Sequence, residues 1–386
     1  MNKKRILVCA AHFYPHVGGS EKYILELYSR MTNQFKIDIL VSDYQKNQSY
    51  EKYKGLNIYR LDSWCLLGNT YPVPKLSIDN YKILKNILKN DDYLFINTHT
   101  RFFVISILGF LMSKFKRYKL IHTEHGTSAA IYDNRFVEIL SSVYDKTMGS
   151  LIVKSSEFSI GISKASNKFL KQLKAKKVYL VPNGVDTSYF KKTPSNLRSK
   201  LGFNEDDILI TYIGRLTQPK GVQDLIKAFN LLNIDKLNLQ LLIVGDGACF
   251  HELKKISKNN PNIIFLGHRS DVPEILSITD IFVNPSHYEG LPTSVLEAAS
   301  VGVPIVATNV GGTGEMFIEE MGYLVDKKDY NGIYNSMKKI IENRSKFSNT
   351  NNSSRDYILN NYSWEKSSEE FITIIKENFY EKNIIH

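Results

Sequence analysis

Cysteine is scarce: the chain holds only Cys9, Cys65 and Cys249, far apart, odd in number and with no Cys-x-x-Cys among them. That excludes a disulfide framework and a structural zinc site, and it fits a reducing cytoplasm. Long hydrophobic runs are missing as well. The longest, Phe102 to Met112, falls well under the roughly 18 apolar residues of a membrane-spanning helix. Lys3-Lys4-Arg5 followed by Ile6 to Ala11 superficially resembles a signal peptide, yet its apolar run is shorter than the roughly 7 to 15 residues of an h-region. It reads as a first buried strand, and the chain is not expected to span a bilayer. No segment repeats at a fixed period, and no Gly-x-x-x-x-Gly-Lys-Ser/Thr phosphate loop occurs.

What is present is the material of ordinary globular domains. With 43% hydrophobic and 23% charged residues the composition is neither disordered nor collagen-like. At 386 residues the chain exceeds the roughly 250 to 300 at which one core stops growing, so two domains are expected. Charge divides unevenly between them. Residues 1–185 carry 28 Lys+Arg against 14 Asp+Glu, a net of +14, and residues 186–386 carry 22 against 25, a net of −3. A basic half attracts nucleic acid, acidic phospholipid or phosphorylated small molecules, or is simply a solvated face. Lys114-Phe-Lys-Arg-Tyr-Lys119 and the run Lys168 to Lys177 favour an anionic membrane surface, because aromatics lie among the cations.

Short β-rich runs alternate with helical patterns, the signature of βαβ units and parallel sheets. In the first half strands are predicted near Arg5 to Ala11, Lys36 to Val41, Leu56 to Leu61, Tyr93 to Asn97, Lys119 to Thr123, Phe158 to Ile162 and Lys177 to Val181, with helices at Ser20 to Thr32 and Ser77 to Lys89. In the second, strands near Ile208 to Ile213, Leu239 to Val244, Ile263 to Phe265, Ile281 to Asn284, Pro304 to Ala307 and Tyr323 to Val325 frame helices such as Val222 to Leu232. Each half is thus a doubly wound α/β sheet. The break is placed after Val181, in Pro182-Asn-Gly-Val-Asp186 and the polar stretch to Lys200. Domains of 1–185 and 186–363 follow, with a last helical pattern, 364–386, packing back. Asn/Ser-rich Ser345 to Ser354 reads as a surface loop.

Chemistry concentrates at strand ends, where open α/β sheets bind ligands. Glu289-Gly290-Leu291-Pro292-Thr293-Ser-Val-Leu-Glu297 reads as a loop turning into a helix that begins at Pro292 or Thr293. The free amides of the turn 292–295 and the positive end of the helix dipole suit a phosphate, and Pro292 suits a first helical position. The pattern suggests a sugar-nucleotide site. Glu297 can reach a ribose diol, although Ser294-Val-Leu-Glu297 also fits a capping box that would make it structural. Glu289, in a turn between buried elements, needs a partner, and a sugar hydroxyl is one. Gly214-Arg215-Leu-Thr-Gln-Pro-Lys220-Gly221 adds two cations on one glycine-bounded loop for a diphosphate. In the first half, Gly18 and Gly19 open a helix after the first strand and let backbone approach a ligand. His125, in Thr123-Glu-His-Gly-Thr127, ends another strand.

Three other readings are disfavoured. Gly245-Asp-Gly247 follows a strand, but Phe250 takes the third glycine position and no acidic residue follows about twenty residues on, which argues against a Rossmann oxidoreductase. No two aspartates stand two residues apart, which removes the usual clamp for a divalent metal, so no metal and no cofactor are expected. No nucleic-acid module is recognisable.

Taken in order, Gly18-Gly19, His125-Gly126, Pro182-Asn-Gly-Val-Asp186, Gly214-Arg215 with Lys220-Gly221, Val244-Gly-Asp-Gly247, Pro285-Ser286 with Glu289 and Glu297, and Gly311-Gly312 with Glu315 resemble the pattern of glycosyltransferase family 4 over nearly the whole chain. Only Cys249 and Phe250 depart from it, where helix surface or packing is expected. The resemblance implies the GT-B fold, two facing Rossmann-like domains with an interdomain cleft, the acceptor held by the N-terminal domain and the donor by the C-terminal one. It implies metal-free transfer of a hexose-type sugar, with retention of configuration, from a nucleoside-diphosphate donor to a glycan or polyprenyl-linked acceptor of a surface polysaccharide or glycolipid. UDP is favoured over GDP as the commoner carrier, and the protein would work in the cytoplasm at the inner face of the plasma membrane. On this resemblance Arg215 and Lys220 neutralise the diphosphate, Glu297 holds the ribose, Glu289 contacts the transferred sugar, His125 faces it near the anomeric carbon, and Gly18 and Gly19 border the diphosphate. A sugar-nucleotide epimerase or disaccharide phosphorylase shares this architecture, and a catalytically silent sugar or lipid binding protein is a third reading.

Overall fold

The computed structural model describes residues 3–16, 18–66, 71–89, 93–128, 135–232, 237–258 and 260–380. Two compact units emerge, residues 1–183 with 364–386, and residues 184–363. The first half supplies β1 (Arg5–Ala10), α1 (Gly19–Arg30), β2 (Lys36–Asp43), β3 (Tyr50–Tyr53), β4 (Leu56–Leu66), β5 (Tyr71–Pro74), α2 (Ile78–Leu88), β6 (Tyr93–His99), α3 (Val104–Lys116), β7 (Lys119–Glu124), α4 (Arg135–Tyr144), α5 (Ser150–Ser155), β8 (Ser159–Gly161), α6 (Lys164–Gln172) and β9 (Val178–Leu180). The second unit holds α7 (Leu197–Lys200), β10 (Ile208–Ile213), α8 (Val222–Leu231), β11 (Leu239–Val244), α9 (Phe250–Ile256), β12 (Ile263–Gly267), α10 (Val272–Ile278), β13 (Ile281–Asn284), α11 (Thr293–Val301), β14 (Ile305–Thr308), β15 (Gly322–Val325), α12 (Tyr330–Glu342) and α13 (Arg344–Asn361). A last helix, α14 (Trp364–Phe379), belongs to the first unit.

In the first unit nine strands form one sheet in the order β3-β4-β2-β1-β6-β7-β8-β9, with β5 paired to β4. All neighbours are parallel except β3 and β5, which run antiparallel to β4. Those two short strands were not anticipated from the sequence, because four polar or proline-bearing residues give no periodicity of their own. Strand β1 lies between β2 and β6, so the order reverses there and the loops after β1 and β6 leave the same edge.

Helix α14 shows why a helix distant in sequence joins this sheet. Trp364, Phe371 and Ile375 fall on one face and are fully buried. Trp364 meets Tyr23 at 5.9 Å, Phe371 meets Tyr28 at 5.9 Å and Phe379 stacks on Phe95 at 5.1 Å between ring centroids. Burying each such side chain contributes about 1.5–3 kcal/mol, and the Arg30 Nε to Glu365 bond of 2.9 Å adds to the α1 contact.

The second unit is a six-stranded parallel sheet in the order β12-β11-β10-β13-β14-β15, reversing between β10 and β13. Alternate residues of β10 enter different cores: Ile208, Ile210 and Tyr212 pack with α8 and α12, while Leu209 packs with Val244 and Ile275. Helices on both faces explain why these strands read as unbroken apolar runs.

The predicted loop Ser345 to Ser354 is instead part of α13. Intrinsic helix preference there is poor, but tertiary anchors override it. Phe347 and Ile358 are buried, and the Arg355 guanidinium donates to the carbonyls of Thr187, Phe190 and Ser300.

Candidate active site

Around the reversal between β10 and β13, three loops of the second unit are locked by backbone contact. Gly221 ends the loop after β10 with φ +66°, and a Cβ there would lie 2.0 Å from the carbonyl oxygen of Pro285. Gly311, after β14, has φ +57°, and its Cβ would lie 1.9 Å from the carbonyl oxygen of Glu289. Only glycine permits both approaches. The His287 amide donates to the Pro219 carbonyl at 2.8 Å and the Gly312 amide to that of Gly290 at 2.8 Å.

This lock brings Lys220 and Glu289 together across 69 residues of sequence: Lys220 Nζ donates to Glu289 Oε1 at 2.7 Å. Ser286 Oγ donates to the same oxygen, also at 2.7 Å. Glu289 is buried and Lys220 partly exposed, so Glu289's acid group has partners inside the protein, a Lys and a Ser, that the sequence did not pair with it. Behind them Tyr212 Oη donates to the Arg215 carbonyl at 2.9 Å. Burial raises the Tyr212 phenol above its usual range, and the Glu289 charge adds to the effect. His287 Nε2 lies 2.6 Å from Asp224 Oδ2, tying the loop after β13 to α8. Arg215 is exposed at the mouth of its loop.

Helix α11 begins at Thr293, and Pro292 is its N-cap with extended backbone, φ −72° and ψ 113°. Of the two starts expected, the structure takes Thr293 and leaves Pro292 outside the helix; because proline has no N–H, the amide donors of this turn start at Thr293. Ser294 sits inside the helix and is not its N-cap, so the Ser294–Glu297 capping box does not form as expected. Glu297 is buried one turn in, and Leu291 and Pro292 are buried ahead of it. Gly214 follows β10, where a Cβ would crowd Tyr212 Oη at 2.7 Å.

The first unit has its own polar centre at its reversal. Gly18 is the N-cap of α1, and a Cβ on it would press Glu21 Oε2 at 2.4 Å, whereas Gly19 has nothing within 4 Å of where its Cβ would stand. Glu21 accepts from Ser20 Oγ at 2.9 Å and meets His16 Nδ1 at 3.0 Å. Burial opposes its charge, but the His16 bond and the nearby imidazoles win and bring its carboxyl down to about 2. His12, His16 and Glu21 have ligand atoms within 4.8 Å of one another.

His125, after β7, is partly buried. Burial lowers its imidazole to about 4, against the partial opposition of Glu124 and Glu21, so it is neutral near pH 7. Its Nε2 lies 3.0 Å from Nδ1 of buried His99. Below, Arg101 Nη1 donates to Glu124 at 2.6 Å, and its Nε and Nη2 grip Asp145 at 2.9 and 2.7 Å. Glu124 in turn accepts the Gly126 amide at 2.9 Å, fixing the turn that carries His125. His99, Arg101, Asp145 and Glu21 were not singled out in the sequence. The polar run Thr98-His-Thr-Arg101 closing an apolar strand was the available signal.

The family model described as Glycosyl transferases group 1 matches residues 195–378, and that described as Glycosyltransferase Family 4 matches residues 17–189. An uncharacterized glycosyltransferase of Methanocaldococcus jannaschii is 30% identical over 392 residues, covering 97% of this chain and 99% of its own. The Escherichia coli UDP-Gal:alpha-D-GlcNAc-diphosphoundecaprenol alpha-1,3-galactosyltransferase is 25% identical, over 88% of this chain and 89% of its own. Among solved structures, sucrose-phosphate synthase from Thermosynechococcus elongatus superposes with a TM-score of 0.82 at 19% identity, covering 98% and 99% of the two chains. HepE of Anabaena, in complex with UDP, gives 0.76 at 17% identity, covering 97% and 100%. Both structures share the fold, two Rossmann-like α/β units of the GT-B class, and the sequence matches show that the chain belongs to glycosyltransferase family 4.

Proposed function

We propose that the protein transfers a hexose-type sugar, with retention of anomeric configuration and without a metal, from a nucleoside-diphosphate donor to a lipid-linked or surface-polysaccharide acceptor. The observation that carries this reading is the cluster of Lys220, Glu289 and Ser286 beside the start of α11 at the reversal of the second sheet. Lys220 and Arg215 supply the cations for the diphosphate, the amides from Thr293 onward add the helix-terminal field, and Glu297 binds the ribose. Glu289 contacts the transferred sugar, while Gly214, Gly290, Leu291 and Pro292 shape the loops. From the first unit, Gly18 and Gly19 border the diphosphate and His125 faces the sugar. Open space at Gly19 agrees with that, because no protein atom demands a glycine there. The work of such a site is charge stabilisation and positioning as the leaving phosphate departs.

UDP is the favoured carrier, since the E. coli relative is named for UDP-Gal and HepE is bound to UDP. The E. coli relative's acceptor is a diphosphoundecaprenol, which supports a lipid-linked acceptor here. No described helix is long and apolar enough to cross a membrane. We assign the basic first unit to an anionic membrane surface, through exposed Leu111 and Phe115 on α3 among Lys114, Lys116 and Arg117. Sedimentation with phosphatidylglycerol vesicles, lost on Phe115→Asp, tests this.

The experiment on function incubates the protein with UDP- and GDP-sugars and a polyprenyl-diphosphate sugar acceptor in the presence of chelator. Release of nucleoside diphosphate with transfer to the acceptor is expected, and Lys220→Ala or Arg215→Ala should each lower turnover. Unchanged turnover in both variants, donor conversion without acceptor, or a requirement for free phosphate overturns the reading. Loss of activity in chelator overturns the metal-free part and directs attention to His12, His16 and Glu21.

A further inference from the structure

A file of buried polar side chains runs through the core of the first unit and ends on His125. Asn97 and Tyr28 are fully buried and His99 nearly so. Polar groups in such a place cost free energy unless each finds a partner, and the sheet itself requires none of them. Their bonds form a directed chain. Asn97 Nδ2 donates to Tyr28 Oη at 2.5 Å, and the Thr123 hydroxyl lies 3.0 and 3.2 Å from the nitrogen and oxygen of the same amide. With an amide proton already aimed at its oxygen, Tyr28 turns its own hydroxyl proton to the remaining neighbour, His99 Nε2 at 3.3 Å. Burial drives the His99 imidazole well below its ordinary range, reinforced by the neighbouring His125 and His122 rings and only partly opposed by Glu124, so it is neutral. A neutral imidazole that accepts at Nε2 carries its proton at Nδ1. That proton points at His125 Nε2, 3.0 Å away.

We propose that His99 is a positioning residue that holds His125 as the Nδ1–H tautomer, so that His125 offers its ligand a hydrogen-bond donor and not a base. The statement rests on the reading above that His125 faces the reacting sugar. Two ring contacts fix the orientation through which the donor is aimed: His99 and His125 stack at 28° with centroids 5.3 Å apart, and Tyr23 meets His125 edge-on at 5.0 Å. His125 then stabilises a sugar oxygen by donation, and proton removal from the acceptor falls to another group.

Selective ¹⁵N-histidine labelling of the full chain, with long-range ¹H–¹⁵N correlation, reads the tautomers without any activity. Nδ1 of His125 should show the protonated-type shift and Nε2 the unprotonated one. Tyr28→Phe, which deletes the donor to His99, should convert this to a mixture of tautomers. The reverse tautomer in the native protein, or no change in Tyr28→Phe, overturns the proposal. In the transfer assay His99→Leu should lower kcat about 10- to 100-fold with little change in donor KM, the scale known for losing the hydrogen-bonded partner behind a metal-ligating histidine. His99→Asn, whose amide nitrogen takes the place of Nδ1, should recover most of that loss. Equal rates for His99→Leu and the native enzyme overturn the proposal. A native protein that shows the expected tautomer but transfers no sugar refutes the function and leaves the tautomer assignment standing.

Discussion

Lys220 and Glu289 form an ion pair, which makes the affinity for a diphosphate a competition. A nucleoside diphosphate must draw Lys220 away from, or share it with, the Glu289 oxygen it now contacts at 2.7 Å. Glu289→Gln keeps the shape and an acceptor for Ser286 Oγ but removes the charge. A hydrogen bond to a charged group nets about 1.5–3 kcal/mol and a neutral one about 0.5–1.5. The substitution therefore weakens the hold on Lys220 by about 1–1.5 kcal/mol, and it also removes a negative charge near an anionic ligand. Free UDP should bind Glu289→Gln about five- to tenfold more tightly by calorimetry, at about 1.4 kcal/mol per tenfold, while turnover of the sugar donor falls. GDP run in parallel reports on the base. Because the variant is isosteric, its melting temperature should stay close to that of the native protein. UDP binding that is equal or weaker, in a variant that melts normally, refutes the idea that Lys220 is the diphosphate's cation.

Three further outcomes are expected. Arg101→Met leaves the buried carboxylates of Glu124 and Asp145 without their shared cation and should cost about 3–5 kcal/mol in urea unfolding; a loss under about 1 kcal/mol contradicts the network. His125 has a folded-state value, about 4, below its unfolded 6.5, so the unfolded chain takes the proton first. Its contribution to stability is complete above pH 6.5 and is lost as the pH falls towards 4, amounting to about 2 kcal/mol between pH 7 and 5. His125→Asn should flatten the stability profile by that amount over this window, whereas Glu21, held near 2, matters only below pH 4.5. Gly311→Ala drives a Cβ into the Glu289 carbonyl and should weaken UDP binding in calorimetry at least tenfold while the far-ultraviolet circular dichroism of the sheet is retained; native affinity shows that this turn does not shape the site.

Much of the fold was legible because its signals are local. The parallel strands announced themselves as apolar runs since helices cover both faces of each sheet, and Gly221 and Gly311 marked turns that only glycine completes. Strands β3 and β5 were missed, being edge strands whose pairing with β4 depends on β4's position and not on their own pattern. Helix α13 was read as a loop because its Asn and Ser residues disfavour helix, and the carbonyls that Arg355 reaches lie far along the chain. At the candidate site, the spacing of Glu289 and Glu297 and the loop from Gly214 to Gly221 stood out, while the start of α11 was open between Pro292 and Thr293 until the folded chain fixed it at Thr293.

Residue order alone thus determined two doubly wound sheets and the strand ends on which Arg215, Lys220, Glu289, Glu297 and His125 stand, since alternation, turns and glycines act over a few neighbouring positions. Only the folded chain decided which groups touch: that Lys220 and Ser286 meet on one oxygen of Glu289, that Arg101 binds two buried acids, and that His99 stands behind His125. Such pairings join residues tens of positions apart, and they exist because packing of the sheets, not any local pattern, sets the distances between their ends.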